Sequence, residues 1–221
     1  MDTAESITHL SICSGYGGID LGLKRVLPAL RTIAYVEIES FACANLVAKM
    51  EEGKLDAAPV WTDVKTCDWS IFRDRVDIIS GGYPCQPFST AGQRKGDDDP
   101  RHLWPFIQRA IAIVRPRWCF FENVEGHITL GLKDVCHDLG ELGYELTAGL
   151  FSAAEVGAPH QRKRAFILAK KVGDPSGEGS QGKLSPREFN QKGREESNGR
   201  LAPTSGVRSN DELADPNECG G

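Results

Sequence analysis

Two rhythms of apolar positions alternate along the first 170 residues. Short apolar runs at His9–Cys13, Thr32–Val36, Val60–Trp61, Val76–Ser80, Trp118–Phe121, Tyr144–Phe151 and Arg164–Ala169 read as strands. Between them the spacing lengthens to that of a helix. Ile19, Leu23 and Val26 share one face before Pro28 stops the run, and Phe41–Met50 follows Ser40, a candidate N-cap. Leu103, Phe106, Ile107, Ala110 and Val114 form a third helical stripe, and 134–142 a fourth. Strands that alternate with helices predict an α/β fold: a mostly parallel sheet with helices on both faces. In such sheets ligands sit at the carboxyl ends of the strands, where the strand order reverses.

The pattern breaks near Lys171. Residues 171–221 are rich in Gly, Pro and Ser and poor in large apolar side chains, so burial cannot offset the entropy of ordering them. The expected division is a folded part over 1–170 and a disordered or loop-like part over 171–221. All four Trp and all four Tyr fall in the first part. The chain of 221 residues is 40% hydrophobic and 26% charged, as for an ordinary water-soluble protein. No apolar run reaches the length of about 18 residues that a membrane helix requires, and the polar N-terminus is no signal peptide. Seven cysteines without C-x-x-C pairs suggest free thiols in a reducing cytoplasm and no metal site. A net charge of −5 gives no support to bulk attraction for nucleic acid, though a local basic groove remains compatible with it.

Two breaks in the pattern carry candidate chemistry. The run Val76–Ser80 ends in Gly81-Gly82-Tyr83-Pro84-Cys85-Gln86-Pro87-Phe88-Ser89. Glycines and prolines force a loop there, and a rigid turn after a buried strand both fixes and exposes a nucleophile such as Cys85. Ser14-Gly15-Tyr16-Gly17-Gly18 forms a glycine turn between the first strand and the first helix. It lacks the G-x-G-x-x-G spacing that cradles a pyrophosphate, so a nucleoside cofactor without one fits better. Glu37 ends the second strand, where a carboxylate can accept from ribose hydroxyls, and Asp63 follows the third, within reach of an adenine amino group. The competing reading is a tight connection flanked by solvated acids.

Later residues are less specific alone. Glu122-Asn123-Val124 follows the apolar run Trp118–Phe121, whose wall favours a proton-bearing acid, although a helix-capping role fits the position as well. Arg162 and Arg164 alternate onto one face at the start of a strand, suited to a base or a phosphate, or simply to solvent. The polar stretch 93–101 reads as a mobile lid or a long exposed connection. Cys43, Cys119 and Cys136 lie in apolar patterns and read as core.

Taken in order, the glycine turn, Glu37, Asp63, Pro84-Cys85-Gln86-Pro87-Phe88-Ser89, Glu122-Asn123-Val124 and Arg162-x-Arg164 closely resemble the C5-cytosine DNA methyltransferases over residues 7–170. The resemblance implies a Rossmann-like, S-adenosylmethionine-dependent methyltransferase fold. It implies a cofactor pocket lined by Cys13, Ser14, Gly15, Gly17, Gly18, Glu37, Ile38, Asp63, Val64, Pro84 and Leu103. Cys85 would be the nucleophile, with Glu122, Arg162 and Arg164 around a flipped cytosine. Double-stranded DNA would be the substrate, in a restriction–modification setting in a prokaryotic or phage-encoded system. The family usually has an aromatic residue where Cys13 stands, often an acid where Ser11 stands, and a glutamine where His160 stands. Family members also continue into a target-recognition domain and a closing segment. The chain therefore resembles a truncated enzyme or one half of a split enzyme whose second chain supplies them. A tRNA cytosine methyltransferase and a silent cofactor-binding remnant are the alternatives; a nicotinamide dehydrogenase would leave Cys85 and Glu122 unexplained.

Overall fold

The computed structural model describes residues 6–84 and 103–173. Cys85 with the rest of its loop, the polar stretch 93–101 and the tail from 174 onward lie outside the described residues. Seven strands form one sheet: β1 (Ile7–Ile12), β2 (Leu30–Val36), β3 (Val60–Trp61), β4 (Ile78–Gly81), β5 (Trp118–Val124), β6 (Tyr144–Ser152) and β7 (Lys163–Lys171), in the order β3-β2-β1-β4-β5-β7-β6. The first five pair in parallel, and β7 runs antiparallel between β5 and β6. Among the described residues five α-helices accompany them: α1 (Gly18–Val26), α2 (Ser40–Glu51), α3 (Trp104–Val114), α4 (His127–Leu130) and α5 (Leu132–Glu141).

From the centre the chain winds outward in both directions, β1 to β2 to β3 one way and β4 to β5 the other. Crossovers between parallel strands are right-handed. That rule puts α1 and α2 on one face and α3 on the other, as the sequence pattern implies. The reversal falls between β1 and β4, whose last residues pair as Ile12 with Gly81. The turn after β1 and the turn after β4 therefore leave the sheet side by side. The core runs along the centre: Leu10, Ile12, Ile79, Ile107, Ile111, Val114, Phe121, Leu139 and Ile167 are almost wholly buried.

Several expectations shift. β4 starts at Ile78, two residues later than the apolar run, because Asp77 turns its carboxylate to the amide and hydroxyl of Thr8 (both 2.8 Å). β5 continues through Glu122-Asn123-Val124 instead of stopping at Phe121, because β7 pairs with it to its end, Glu122 opposite Phe166 and Val124 opposite Arg164. Ser40 is the first residue of α2 and not its cap; Glu39 holds the cap position, without a side-chain bond. Leu103 is the cap residue of α3, α5 begins at Leu132, and the single-turn α4 has no counterpart in the apolar spacing. Of the cysteines read as core, Cys119 is buried while Cys43 and Cys136 are half-buried. Among the described residues no helix is long and apolar enough to cross a membrane.

A polar cluster is buried beneath the glycine turn. His9, fully enclosed, places Nδ1 2.9 Å from Thr32 Oγ1 on β2 and Nε2 2.7 Å from Ser80 Oγ on β4. Ser11 donates to Asp20 Oδ2 on α1 at 3.1 Å. The other carboxylate oxygen, Oδ1, has no hydrogen-bond partner among the described residues and lies 3.8 Å from His9 Nδ1. Burial pushes Asp20 up to about 6 and His9 down to about 4. The signs are opposite. The raised Asp20 stabilises the fold below its ordinary value of 3.8, and that contribution is lost as pH rises through about 6. The lowered His9 stabilises it above 6.5, and that contribution is lost as pH falls through about 4. Asp20→Asn removes the first limb only. Its urea midpoint relative to the parent is expected to be higher at about pH 7.5 than at about pH 5. An identical difference at both pH values would show that Asp20 does not titrate as a buried acid.

Candidate active site

The glycine turn is built by backbone bonds that only an unusual path allows. Ser14 N donates to Val36 O at 3.2 Å, Gly17 N to Ser14 O at 2.9 Å, and Leu21 N to Gly17 O at 3.0 Å, which hands the turn to α1. Cys13, Gly15 and Gly17 all have positive φ (50°, 53° and 73°). For Cys13 that conformation costs on the order of 1 kcal/mol or more, strain of the kind that collects at functional sites. At Gly17 a Cβ would sit 2.9 Å from Leu55 Cδ1, whereas at Gly15 and Gly18 it would meet nothing within 4 Å. The turn is thus anchored below and open above.

Glu37, 7% exposed, clasps this turn. Its Oε2 accepts from Gly15 N at 2.7 Å and its Oε1 from Glu39 N at 2.8 Å. A carboxylate has roughly four lone-pair sites, so two of them are left for a ligand. Next to it Ile38 is 68% exposed, and Tyr16 and Phe41 meet edge to face at 6.3 Å. Asp63 Oδ1 accepts from Lys65 N at 2.9 Å, closing a small turn after β3. The Val64 side chain is packed into the core, so this residue can reach a ligand only through its backbone. Pro84 is exposed after β4, and Leu103 is half-buried at the start of α3. A cleft of about 420 Å³ opens beside Asp63, lined by Val64–Ser70 and by Phe106, Arg109 and Ile113 of α3. It shares only Val64 with the candidate residues and is separate from the glycine turn.

The acid and one arginine come together. Arg164 Nε forms an ion pair with Glu122 Oε1, and Arg164 Nη1 donates to Lys163 O at 2.9 Å. Both side chains are about one-quarter exposed (26% and 23%). Because β7 lies antiparallel along β5, Phe166 stands opposite Glu122, and the diagonal Arg164 adds a cation that the run before it did not foretell. A Cβ at Gly82 would lie 3.2 Å from Glu122 Oε2, so the carboxylate stands directly over the turn that leads to Cys85. Arg162 precedes β7 and is exposed; its amide faces His160 Nδ1 at 3.4 Å. The structure thus gathers Glu122 and Arg164 over the β4 turn beside the glycine turn, and leaves Arg162 at the rim.

Residues that sequence reasoning passed over hold the turn after β4. Asn123 Nδ2 donates to Tyr83 O at 3.1 Å, and Tyr83 Oη lies 2.9 Å from His127 Nε2. At Gly81 a Cβ would come within 2.2 Å of Ile12 O. The double glycine at 81–82 was a visible signal for that last constraint. The Tyr83–His127 contact joins residues 44 apart in sequence and left no such trace. Among the described residues no cluster of His, Cys, Asp and Glu could hold a metal ion.

Comparison with known proteins adds three findings. The family model described as C-5 cytosine-specific DNA methylase matches residues 7–214. The chain is 33% identical over 172 residues to the Type II methyltransferase M.NgoMIV of Neisseria gonorrhoeae, covering 74% of this chain and 52% of the relative. It is 32% identical over 168 residues to M.Eco47II of Escherichia coli, covering 73% and 39%. The chain spans about half the length, or less, of these relatives. Among solved structures, Dnmt2 of S. pombe superposes with a TM-score of 0.64 at 24% identity, over 83% of this chain and 58% of that one. A DNMT2 mutant of Spodoptera frugiperda gives 0.63 at 22% identity, over 80% and 54%. At these identities the superpositions speak for the fold alone, which is the Rossmann-like methyltransferase sheet.

Proposed function

Because the chain belongs to the C-5 cytosine-specific DNA methylase family, we propose that it carries the catalytic part, over 1–170, of an enzyme that transfers a methyl group from S-adenosylmethionine to C5 of cytosine in double-stranded DNA. The observation that carries the reading is the Glu122–Arg164 ion pair standing over Gly82, next to the open glycine turn. The names of the bacterial relatives as Type II methyltransferases favour DNA as the substrate and a restriction–modification setting in a bacterial or phage context. A second chain, or a further part of this one, would supply DNA recognition.

The residues at the turn fit the cofactor. Gly15 and Gly18 leave room above the backbone, Ile38 offers an apolar face, and Glu37 keeps lone pairs for ribose hydroxyls. Asp63 and the Val64 backbone suit the adenine edge, with Cys13, Ser14, Gly17, Pro84 and Leu103 completing the wall. S-adenosylmethionine supplies an electrophilic methyl on a sulfonium sulfur.

Cytosine C5 is a weak nucleophile while the ring is aromatic. The Cys85 thiolate adds to C6, the C5–C6 π pair moves onto C5, and an enamine results. Glu122 binds N3 and the exocyclic amine, where charge shifts during addition, and Arg164 holds the O2 side with Arg162 in support. C5 would then take the methyl carbon, with the electron pair of the broken C–S bond staying on the departing sulfur. Loss of the C5 proton restores the double bond and expels the Cys85 thiolate. The base must leave the duplex stack for this to happen. The reading is tested by incubating the full chain with radiolabelled S-adenosylmethionine and either duplex DNA or tRNA. Label in DNA as 5-methylcytosine is the expected result. Label in tRNA alone would redirect the assignment, and cofactor binding by calorimetry without transfer to either would indicate a silent remnant.

A further inference from the structure

Tyr83 lies two residues before Cys85 and is held at both ends. Its carbonyl accepts from Asn123 Nδ2 at 3.1 Å, on β5, and its hydroxyl meets His127 Nε2 at 2.9 Å, on α4. Its ring has no room to swing: Trp104 lies at 5.4 Å, Phe121 at 5.8 Å edge to face, and His127 at 5.5 Å edge to face. Trp104 is in turn fixed by donating Nε1–H to Asp138 Oδ2 at 2.7 Å. His127 is 4% exposed, and Gly131 makes space for its ring, since a Cβ there would sit 2.8 Å from His127 Cε1. Burial pushes the imidazole down from its ordinary value, which favours the neutral ring, and with the other ring nitrogen protonated Nε2 can accept a hydrogen bond from the Tyr83 hydroxyl.

A tyrosine side chain has only two torsions. With hydroxyl and carbonyl both pinned, the Tyr83–Pro84 peptide has one orientation. The Pro84 ring then locks the next φ near −65°. Those constraints fix the chain up to Pro84, the residue that leads into Cys85.

We propose that His127 is a positioning residue for the nucleophile turn, acting through the Tyr83 hydroxyl; the proposal rests on the reading of Cys85 as the nucleophile. The alternative is a buried contact that serves stability alone. Two measurements on the full chain separate them: methyl transfer to duplex DNA, and the rate at which iodoacetamide labels Cys85, followed by mass spectrometry without DNA or cofactor. A misplacement of about 1 Å at a reacting atom costs up to roughly 100-fold, so Tyr83→Phe and His127→Leu are each expected to slow turnover about tenfold, with KM values within about twofold. Combining them is expected to cost no more than either alone, since both break one contact. His127→Gln, which keeps a hydrogen-bonding group, is expected to recover at least about half of the loss. Cys85 labelling is expected to accelerate at least about threefold in the Phe and Leu variants as the turn loosens.

Unchanged labelling and turnover in those variants would overturn the proposal. Losses that merely track the folded fraction by circular dichroism, with His127→Gln no better than His127→Leu, would overturn it in favour of a stability role. If the parent transfers no methyl group but the labelling shifts appear as stated, positioning stands and the methyltransferase reading of this chain fails.

Discussion

Replacing Cys85 with alanine is expected to abolish methyl transfer, by on the order of 1000-fold or more, while leaving the affinity for S-adenosylmethionine within about twofold. The size follows from what the thiolate does. Without addition at C6 the ring stays aromatic, and C5 has no electron pair to offer the methyl carbon. No neighbouring group can substitute. Glu122 is a carboxylate, a poor nucleophile toward C6, and its proposed place is at N3 and the exocyclic amine. The described cysteines are all poor thiolates: burial pushes Cys13 up to about 12 and Cys67 up to about 11, and raises Cys43, Cys119 and Cys136 as well. Cys13 is raised further by the nearby Glu37 carboxylate. Most of the proposed cofactor residues lie on the turns after β1, β2 and β3, away from Cys85, so the truncation is expected to leave cofactor binding intact. Bisulfite sequencing of incubated duplex DNA reads the outcome. Continued formation of 5-methylcytosine by the alanine variant would refute Cys85 as the nucleophile.

Gly81→Ala is expected to lower stability by about 3 kcal/mol or more. Gly81 is the last residue of β4 and pairs with Ile12 at the end of β1. A Cβ would come to 2.2 Å from Ile12 O, a backbone atom inside the sheet. A side chain in the way could change rotamer; a strand carbonyl can move only if the two central strands separate. Against a typical total of 5–15 kcal/mol this is a large fraction, and a melting-temperature drop of roughly ten degrees follows for a domain of this size. Gly82→Ala is the control. There the nearest atom is Glu122 Oε2 at 3.2 Å, the end of a flexible side chain that can give way. Its cost in stability is expected to stay below about 1 kcal/mol. Urea midpoints of the two variants compare them directly. A midpoint for Gly81→Ala equal to that of the parent would mean that β1 and β4 do not approach as closely as the structure has them.

These two changes sit on either side of what linear pattern can convey. The strands and helices were legible because each depends on local period: the 3.6 spacing of Phe106, Ile107, Ala110 and Val114 suffices for α3, and the apolar run at Trp118–Phe121 for most of β5. The candidate chemistry was legible because turns of glycine and proline must follow strands, and because residue types such as Cys85 and Glu37 stand at strand ends. The alternation of strand and helix, with right-handed crossovers, was enough to place those turns on one edge of the sheet.

Local pattern carries no information about partners brought from afar. That Glu122 lies within β5 and faces Arg164 depends on β7 returning antiparallel, 42 residues later. That Glu37 spends part of its carboxylate on Gly15 and Glu39 depends on how β2 sits beside β1. The Val64 side chain turns into the core, and the His9–Ser11–Asp20 cluster joins strands and helix beneath the turn. Residue order along the chain was therefore enough to identify the kind of chemistry and its candidate residues. Packing decided which of those side chains meet, which are already engaged, and which glycine admits no other residue, because hydrogen bonds, ion pairs and steric contacts act over a few ångströms of space regardless of separation in sequence.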